Sequence, residues 1–537
     1  MQALLTPLYE LAEYSQIKNA LRKAGGAVSV AGCVDAQKWH MAYGLGDGYK
    51  FKIIATFSEL HAREAYEQFR AYDRNTFMYP AKDLIFYQAD IHGNQQTKER
   101  IRVLKRLLQK KPITIVTTFD ALMAPQVPLS VYEESIISLK KGSEVNLTEL
   151  SEKLVALGYE KTYQVEAPGQ FAVRGDILDV FDLTEDNPVR VELWGDEIES
   201  IRSFDVESQR SIEMLTQVQI FPAMEMILSA ERKERGMQAI EAEADKQYDL
   251  FRKDFKTEEA HRIKQQVKEL KEDLFTFQSM TNLDSYLHYF YGETGSLLDF
   301  MEADKSLLIL DEPVRIKEHV DAVELEFKDS MSNRLEKGYI LPGQTRLLYP
   351  SEEVAAGLVK RPVLALSMME SKCALFTYKE QFQVEAKMVS PYNHSFETLV
   401  KDLAKYRKNK YRMVLVSPSR TRAKRLVESL RDNDISAAYS EDPFREAVVG
   451  EVLCVQGNIA RGFEYPLLHF VVIAESDIFG EEKRKKKKKS SFSGTKIQDF
   501  AELHVGDYVV HETYGLGQYQ GIEKVEVDHI IKDYIKL

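Results

Sequence analysis

The sequence predicts a multi-domain α/β protein with a small α+β domain inserted into its first domain and a small β-barrel pattern at its end. Strands alternate with helices between Tyr49 and Met123, short alternating strands surround the turn at Pro168-Gly169, and glycine turns interrupt a β-rich stretch after residue 496. At 537 residues, of which 44% are hydrophobic, the chain can bury several cores and should split into three to five domains.

Charge and cysteine content limit the classes of protein that this sequence can encode. The net charge is -12, from 84 acidic and 72 basic residues, which excludes a broad phosphate-binding surface. Cys33, Cys373 and Cys454 lie far apart without CxxC spacing, so we expect neither a disulfide framework nor a metal site. No basic start followed by an apolar run and no span of about 20 apolar residues is present, which predicts a cytoplasmic protein without a membrane contact.

The first domain is expected to be a parallel sheet covered by helices. Its apolar strands, such as FKIIATF (51–57) and ITIVTTF (113–119), are separated by amphipathic helices. The pattern changes after Pro125, and long charged helices follow between about residues 230 and 280. We therefore predict a degenerate nucleotide-hydrolase domain at 1–125, an inserted domain at 126–206, a return to the first domain at 207–346, a further α/β domain at 347–480, a basic flexible linker at 481–495 and a truncated β-barrel at 496–537.

One segment resembles a phosphate-binding loop but lacks its essential residues. Gly32 and Lys38 are in register with the pattern GxxxxGK[ST], but Gln37 replaces the second glycine and Trp39 replaces the hydroxyl residue. Side chains at those two positions fill the space that phosphates need. We expect no cofactor to bind here.

A pair of acidic residues follows the apolar strand SLLILDEP. Asp311 and Glu312 stand where a nucleotide hydrolase keeps a magnesium-holding Asp and a water-activating Glu. Two interpretations remain open: acidic residues at the exposed end of a buried strand, or a vestige of an ancestral active site. No HExxH, GxSxG or Cys-His signature is present, and scattered histidines such as His61 and His288 are interpreted as structural, so we predict no catalytic residue and no metal ligand.

The order of these segments resembles the N-terminal half of the bacterial transcription-repair coupling factor (Mfd) family. Four stretches carry the resemblance over nearly the whole chain, and two of them are specific. They are ADIHGNQQTKERIRVLKRL, GQFAVRGDILDVFDL with VRVELWGDEIESIRSFD, SLLILDEPVRI and GDYVVHETYGLGQYQGIE, of which the second and fourth are the specific ones.

The resemblance implies that the small inserted domain imitates the part of the excision-repair subunit UvrB that binds UvrA. Arg174, Gly175, Asp176, Asp179 and Phe181 match the family pattern (A/S)xRGxxxDxF, and we take Arg174, Gly175 and Phe181 as candidate UvrA contacts. On a strand, Arg174 shares one face with Asp176, Leu178 and Val180, and Phe181 lies on the opposite face with Gly175, Ile177 and Asp179, so we expect Arg174 to be exposed.

A purely structural role remains an alternative for two of these residues. Arg174 is alternatively held in an intramolecular ion pair with Glu192, Asp196 or Glu197, and Phe181 is alternatively a core residue.

The final segment resembles the family's RNA-polymerase-interacting domain, which CarD-like regulators share. The resemblance implies an edge strand that pairs with the polymerase β subunit, and Ile535, Lys536 and Leu537 approach that strand. The basic run from Lys483 to Lys489 could touch DNA weakly, although a solvated linker is the simpler interpretation.

The family also has an ATP- and Mg²⁺-dependent DNA translocase of the helicase type, which we do not find in this sequence. The resemblance therefore implies a recruitment factor of transcription-coupled nucleotide excision repair that connects UvrA with stalled RNA polymerase. Two other functions remain open: a UvrB-like ATPase or helicase of excision repair, and a CarD-like RNA-polymerase-binding transcription regulator.

Overall fold

The computed structural model describes residues 2–23, 27–82, 94–275, 283–480, 506, 508–511, 515–527 and 530–536. The chain forms two compact units, Met1–Glu481 and Glu482–Leu537. The predicted linker at 481–495 and Leu537 lie outside the described residues. None of the helices in the described part of the chain combines the length and the apolarity that crossing a membrane requires.

The elements of the first unit follow one another in four stretches. The first stretch contains α1 (Gln2–Tyr9), α2 (Ala12–Arg22), β1 (Ala27–Ala31), α3 (Asp35–Leu45), β2 (Phe51–Thr56), α4 (Glu59–Phe69), β3 (Thr76–Tyr79), α5 (Asn94–Leu108), β4 (Ile113–Thr118) and α6 (Phe119–Met123). The second contains α7 (Leu129–Ser135), β5 (Ile137–Lys140), α8 (Leu147–Ala156), β6 (Glu160–Lys161), β7 (Gln170–Arg174), β8 (Ile177–Val180), β9 (Val189–Trp194), β10 (Glu197–Phe204), β11 (Ser211–Leu215) and β12 (Gln217–Ile220).

The remaining two stretches complete the first unit. The third contains α9 (Ala230–Lys253), α10 (Thr257–Phe275), α11 (Leu287–Phe290), β13 (Ser306–Asp311), α12 (Pro313–Glu336) and α13 (Ser351–Leu358). The fourth contains β14 (Val363–Leu366), β15 (Tyr378–Gln383), β16 (Lys387–Met388), α14 (Phe396–Lys408), β17 (Arg412–Ser417), α15 (Arg420–Arg431), β18 (Ala437–Ser440), β19 (Val452–Gln456), β20 (Phe463–Tyr465), β21 (Phe470–Ala474) and α16 (Glu475–Phe479). Short 3₁₀ turns span Leu283–Tyr286, Leu297–Phe300, Ala303–Lys305, Pro342–Arg346 and Pro466–Leu468.

The largest sheet is parallel and has seven strands in the order β15-β1-β14-β13-β2-β4-β3. Its inner strands are buried along nearly their whole length, as expected when helices cover both faces. The prediction of a multi-domain α/β protein with a parallel sheet is thus confirmed. β14 and β15 belong to this sheet, so the domain start predicted at residue 347 falls inside it.

A second α/β sheet has the order β16-β20-β21-β17-β19-β18. It shares one hydrophobic core with the first sheet, because a single cluster contains Val28 and Leu364 of the first sheet together with Val414, Phe463 and Val472 of the second. The two sheets therefore pack as one body.

The small sheet has the order β11-β10-β9-β8-β7-β6. β5 precedes its strands in the chain and β12 follows them, and these two strands form a separate two-stranded ribbon. The inserted domain was predicted to end at residue 206, but β11 and β12 continue to Ile220. The physical reason is that β11 pairs with β10 and β12 pairs with β5, so both strands need partners inside this region.

Basic residues of α5 hold the small domain on the first sheet. The buried Arg100 guanidinium donates to both carboxylate oxygens of Glu225, at 2.8 and 3.0 Å, and to the Pro80 carbonyl at 2.7 Å. Lys82 Nζ lies 3.2 Å from the same Glu225 carboxylate. Five residues further along α5, Lys105 Nζ contacts Asp182 at 3.1 Å.

The second unit contains two antiparallel pairs among its described residues, β22 (Tyr508–His511) with β23 (Gly515–Gln518) and β24 (Gly521–Val527) with β25 (Ile530–Lys536). A small β domain is consistent with these pairs. The predicted barrel stays a prediction.

Replacing Glu225 tests how much the small domain depends on this anchor. Burial alone would raise the pKa of Glu225, but the charges of Arg100 and Lys82 outweigh it and lower the pKa to about 2. Because the folded pKa lies below the ordinary value of 4.5, the carboxylate stabilises the fold above that pH and loses this contribution as the pH falls toward 2. We expect Glu225→Gln to cost about 3–5 kcal/mol at neutral pH, since it leaves a buried guanidinium without its counter-charge.

Denaturant unfolding, followed from pH 7 to pH 3, measures this cost. The variant should also be less sensitive to acid than the wild type. Glu185→Gln is the matched control, because Glu185 is exposed and Lys105 keeps Asp182 in its absence. Equal stability of the two variants would contradict the assigned role of Glu225.

Candidate functional site

The carboxyl ends of the parallel strands, where α/β proteins usually bind ligands, form a crevice that the chain fills itself. The loop after β1 contains Gly32, and Lys38 follows in the first turn of α3. Asp311 ends β13, which is separated from β1 by β14 alone. The residues predicted as a degenerate phosphate loop and as vestigial acids are therefore brought together.

Asp311 is completely buried and contacts the side chains of Lys38 and His61. Lys38 Nζ lies 2.7 Å from Oδ1, and His61 Nε2 lies 2.7 Å from Oδ2. Burial would raise the pKa of Asp311, but the hydrogen bond from His61 and the charge of Lys38 lower it, and the hydrogen bond to Asp311 raises the pKa of His61. The expectation that Asp311 stands at the exposed end of its strand is wrong, because an ion pair with Lys38 allows it to be buried.

His61 was interpreted as one of several scattered structural histidines. In the structure it contacts the buried Asp311, because α4 follows β2, which pairs with β13. Strand order would have revealed the contact, but the sequence does not provide strand order.

The backbone N-H groups of the loop are engaged by the protein. Gly32 N donates to Met368 O at 3.2 Å and Cys33 N donates to Ser367 O at 3.1 Å. Gly32 has a positive φ of 82°, and a Cβ at this position would lie 2.0 Å from the Val384 carbonyl oxygen. Glycine at this position therefore allows the Val384 backbone, directly after β15, to pack closely against the loop.

The two side chains that interrupt the phosphate-loop pattern have structural partners. Gln37 is buried and donates from Nε2 to the Tyr465 hydroxyl at 2.9 Å, while Trp39 packs edge-on against Phe69. The Tyr465 hydroxyl lies 3.1 Å from His40 Nδ1, and His40 Nε2 lies 2.7 Å from the Leu4 carbonyl oxygen, which can only accept. Burial lowers the pKa of His40 to about 4, so the ring is neutral and bridges the two groups.

Glu312 has left-handed backbone geometry, with φ of 55°. Its Oε1 accepts a hydrogen bond from Met368 N at 2.9 Å, and burial raises its pKa. Both acidic residues are therefore bonded to the protein's own groups.

The small sheet offers a different kind of site. Residues 170–180 are not one strand, because β7 and β8 form a hairpin with its turn at Gly175-Asp176. Gly175 has a φ of 60° and its Cβ position opens to empty space, so glycine satisfies the turn. In this register Arg174 lies opposite Ile177 and Ala172 lies opposite Asp179. The assignment of faces from a single strand was wrong for this reason.

One face of the small sheet carries a ladder of charged residues. Asp179 is buried and accepts hydrogen bonds from Arg174 Nη2 at 2.7 Å and from Arg190 Nε at 2.7 Å. Glu192 on the neighbouring strand pairs with Arg202. Arg174 is thus in an intramolecular ion pair, as one interpretation foresaw, but its partner is Asp179 and not Glu192, Asp196 or Glu197.

An exposed tryptophan stands beside this ladder. Trp194 ends β9 with 81% of its surface exposed, whereas Trp39 is buried. Along β9, Trp194 shares its face with Arg190 and Glu192, while Val191 and Leu193 face the core. Sequence reasoning missed Trp194, although this alternation was the available signal. We call the face that carries Arg174, Asp179, Arg190, Glu192, Trp194 and Arg202 the outer face.

Phe181 is not available on this surface. It is 5% exposed and packs with Val165 and Ala172 in a small core of its own. The candidate contact proposed from the sequence is therefore corrected to a core residue, as the alternative interpretation held. In the second unit, Ile535 and Lys536 lie in β25, opposite Ile522 and Gly521, and Leu537 lies outside the described residues.

These features define a protein with an α/β scaffold that carries a small β-rich domain with a charged outer face. Residues 137–226 match the family model described as UvrB interaction domain, and residues 503–537 match the one described as CarD-like/TRCF RID domain. The chain is 33% identical over 466 residues to the transcription-repair-coupling factor of Bacillus subtilis (strain 168). The proteins of the same name from Staphylococcus epidermidis (strain ATCC 12228) and Staphylococcus aureus (strain MRSA252) are each 27% identical to it.

The resemblance drawn from the sequence is confirmed: this chain is similar to the transcription-repair-coupling factors. The matches cover 86–87% of the chain and 39% of each of these relatives. The chain thus corresponds to well under half the length of the curated relatives it matches.

Replacing Lys38 distinguishes a closed crevice from a working phosphate loop. We expect Lys38→Met to lower the free energy of unfolding by about 3–5 kcal/mol, because Asp311 loses a buried counter-charge. We also expect Mg²⁺ and ATP to leave the thermal unfolding midpoint of the wild type unchanged, since a ligand that binds the folded state would raise it.

Thermal unfolding with and without nucleotide measures both effects. The exposed Lys401, which pairs with Glu397, gives the control Lys401→Met, whose midpoint should match that of the wild type. A nucleotide-dependent shift in the wild type that disappears in Lys38→Met would show a functional phosphate loop.

Proposed function

We propose that this chain recruits the excision-repair subunit UvrA through the outer face of its small sheet and contacts RNA polymerase through its second unit. It would thereby connect a stalled polymerase with DNA repair in the cytoplasm. The observation that carries the proposal is the exposed Trp194 beside the fixed arginines of the outer face, within the range that matches the UvrB interaction domain. The proposed role consists of binding these two proteins and includes no chemical step.

The composition of the outer face supports a protein partner. Tryptophan and arginine are the residues most enriched among those that dominate binding energy at protein interfaces. Trp194 offers a large apolar surface, and Arg174, whose side chain is about one third exposed, is oriented by Asp179. An arginine held in place before binding loses less conformational entropy when a partner carboxylate or carbonyl reaches it.

The buried Asp179 carboxylate holds Arg174 and Arg190 in fixed positions on the outer face. Asp179 is about 1% exposed and receives both Arg174 and Arg190, and the Arg190 guanidinium also stacks on Phe204 at 4.4 Å. The strands that carry these residues are central in the small sheet, so the positions of the arginines are set by a rigid backbone. We propose this ladder as the part of the surface that fixes the orientation of the partner.

Polymerase binding is proposed for the second unit because residues 503–537 match the CarD-like/TRCF RID domain. The β24–β25 hairpin presents backbone groups of the kind used in strand addition, and the polymerase β subunit would be the partner. Residues Ile535 and Lys536 of β25 stay candidate contacts, as does Leu537.

Substitutions on the outer face test UvrA recruitment. We expect Trp194→Ala to weaken UvrA binding by about 2 kcal/mol or more, roughly 30-fold, and Arg174→Ala by about tenfold. The matched control is Phe444→Ala, which removes an aromatic residue that is 78% exposed elsewhere in the first unit. Titration calorimetry with UvrA gives the dissociation constants.

Tryptophan emission provides a second readout of the same complex. The chain has two tryptophans, and since Trp39 is buried, a blue shift on adding UvrA would report the covering of Trp194. No capture of UvrA by the wild type, or equal effects of Trp194→Ala and Phe444→Ala, would sink the recruitment proposal and favour a CarD-like transcription regulator.

Removing the second unit separates the two proposed contacts. A chain that ends at Gly480 retains the first compact unit and should still bind UvrA, but it should lose binding to the polymerase β subunit. Lys536→Glu in the full chain should weaken polymerase binding without affecting UvrA. Pull-downs with each partner measure the outcome, and polymerase capture by the shortened chain would contradict the assignment.

A further inference from the structure

A helical hairpin in the first unit exposes an aromatic residue at its tip. α9 and α10 pack side by side in opposite directions, since Lys264 of α10 pairs with Asp245 and Lys271 pairs with Glu241. The connection between them, residues 254–256, includes Phe255, which is 92% exposed. This is the most exposed large hydrophobic side chain among the described residues.

The backbone at Phe255 is one that favours glycine. Phe255 has a φ of 61°, in the left-handed region, which is unusual for a bulky residue. Phe255 N donates to Arg252 O at 3.3 Å, and Lys256 N donates to Phe251 O at 2.8 Å. This pair of bonds is the Schellman motif, whose left-handed position is usually a glycine. A phenylalanine at this position strains the backbone and buries little of its own surface, so packing of the fold does not explain it.

Unpaired cations surround this residue. Across residues 252–256 the charges of Arg252, Lys253, Asp254 and Lys256 sum to +2, in a chain whose net charge is -12. In the described part of the chain, none of these three cations forms an ion pair, whereas Lys264, Lys268 and Lys271 along α10 each pair with a carboxylate. The tip therefore carries positive charge that no carboxylate among the described residues neutralises, and Arg252 and Lys256 lie over the rings of Tyr248 and Phe251.

We propose that the tip of the α9–α10 hairpin binds DNA with unpaired bases, with Phe255 stacking on a base and Arg252, Lys253 and Lys256 contacting phosphates. An exposed aromatic ring offers a surface to any base face, and bases are accessible in single-stranded DNA but not inside a duplex. The neighbouring cations match the phosphate charge on either side of the stacked base. This site is independent of the outer face and of the second unit.

Fluorescence anisotropy with a labelled oligothymidylate of about 20 nucleotides tests the proposal. The full chain is used in a background in which the basic residues of 483–489 are glutamines, so that this run does not contribute. We expect Phe255→Gly to weaken binding about tenfold, in line with the loss of one stacked base. The thermal midpoint of this variant should stay equal or rise, because glycine suits the left-handed position.

Charge variants provide the second measurement. Replacing Arg252, Lys253 and Lys256 together by glutamine should reduce the slope of log affinity against log salt by about 2, because each neutralised phosphate of a single strand contributes about 0.7 to that slope. The matched control replaces Lys264, Lys268 and Lys271 by glutamine, and it should leave the slope of log affinity against log salt unchanged.

Several outcomes would overturn the proposal. The parent chain would contradict it by failing to bind the oligothymidylate, or by binding it with the same affinity as Phe255→Gly does. The parent chain would also contradict it by binding a blunt DNA duplex of the same length as tightly as the oligothymidylate, or by binding an oligouridylate more tightly. Because the probe contains no protein, failure of this test leaves UvrA and polymerase binding unaffected, and failure of those leaves this site unaffected.

Discussion

The burial of one carboxylate constrains the architecture of the first unit. Asp311 ends a central strand of the parallel sheet and is out of contact with water, so its charge must be neutralised by groups that reach it from neighbouring elements. Lys38 arrives from α3 and His61 from α4, which fixes both helices against the end of β13. With α3 fixed, Gln37 and His40 meet Tyr465 of the second sheet, and the two sheets share one core. The self-filled crevice and the rigid scaffold are thus two results of the same electrostatic requirement.

The scaffold supports the small sheet by a second group of buried charges. Arg100 and Lys105 lie five residues apart on α5 and reach two carboxylates of the small domain, Glu225 and Asp182. The same principle recurs on the outer face, where Asp179 orients two arginines. In each case a carboxylate that is shielded from water fixes the geometry of cations around it. Buried ion pairs contribute little net stability but make the loss of either partner costly, so they favour one arrangement over others.

The sequence predicts the parts of this molecule that local patterns determine. Alternating strands and helices indicate the parallel sheet, and the interrupted glycine-lysine spacing at residues 32–39 indicates a loop unsuited to phosphate. Contacts between distant segments are not predictable in this way: His61 and Asp311 are 250 positions apart, and only strand order brings them together. The hairpin at Gly175-Asp176 was missed because its alternation continues through the turn residues. Trp194 was detectable because it alternates with core residues in the same way as Arg190 and Glu192 along the strand. The strain at Phe255, in contrast, depends on a backbone dihedral angle that composition does not predict.

The loop after β1 has a consequence for how this architecture can evolve. Its amide groups bond to Ser367 and Met368, Gln37 bonds to Tyr465, and Lys38 neutralises Asp311. Nucleotide binding at this loop would require a glycine at 37 and a hydroxyl at 39, together with release of the loop amides from Ser367 and Met368 and a new counter-charge for Asp311. Glycine at 37 would remove one of the two side-chain partners of the buried Tyr465 hydroxyl, and displacement of the loop would free the amides of Gly32 and Cys33, at a cost of about 1–3 kcal/mol for each buried group left unpaired. Mutation toward a phosphate site would therefore meet a stability cost at these steps, which disfavours the gradual appearance of nucleotide binding in this loop.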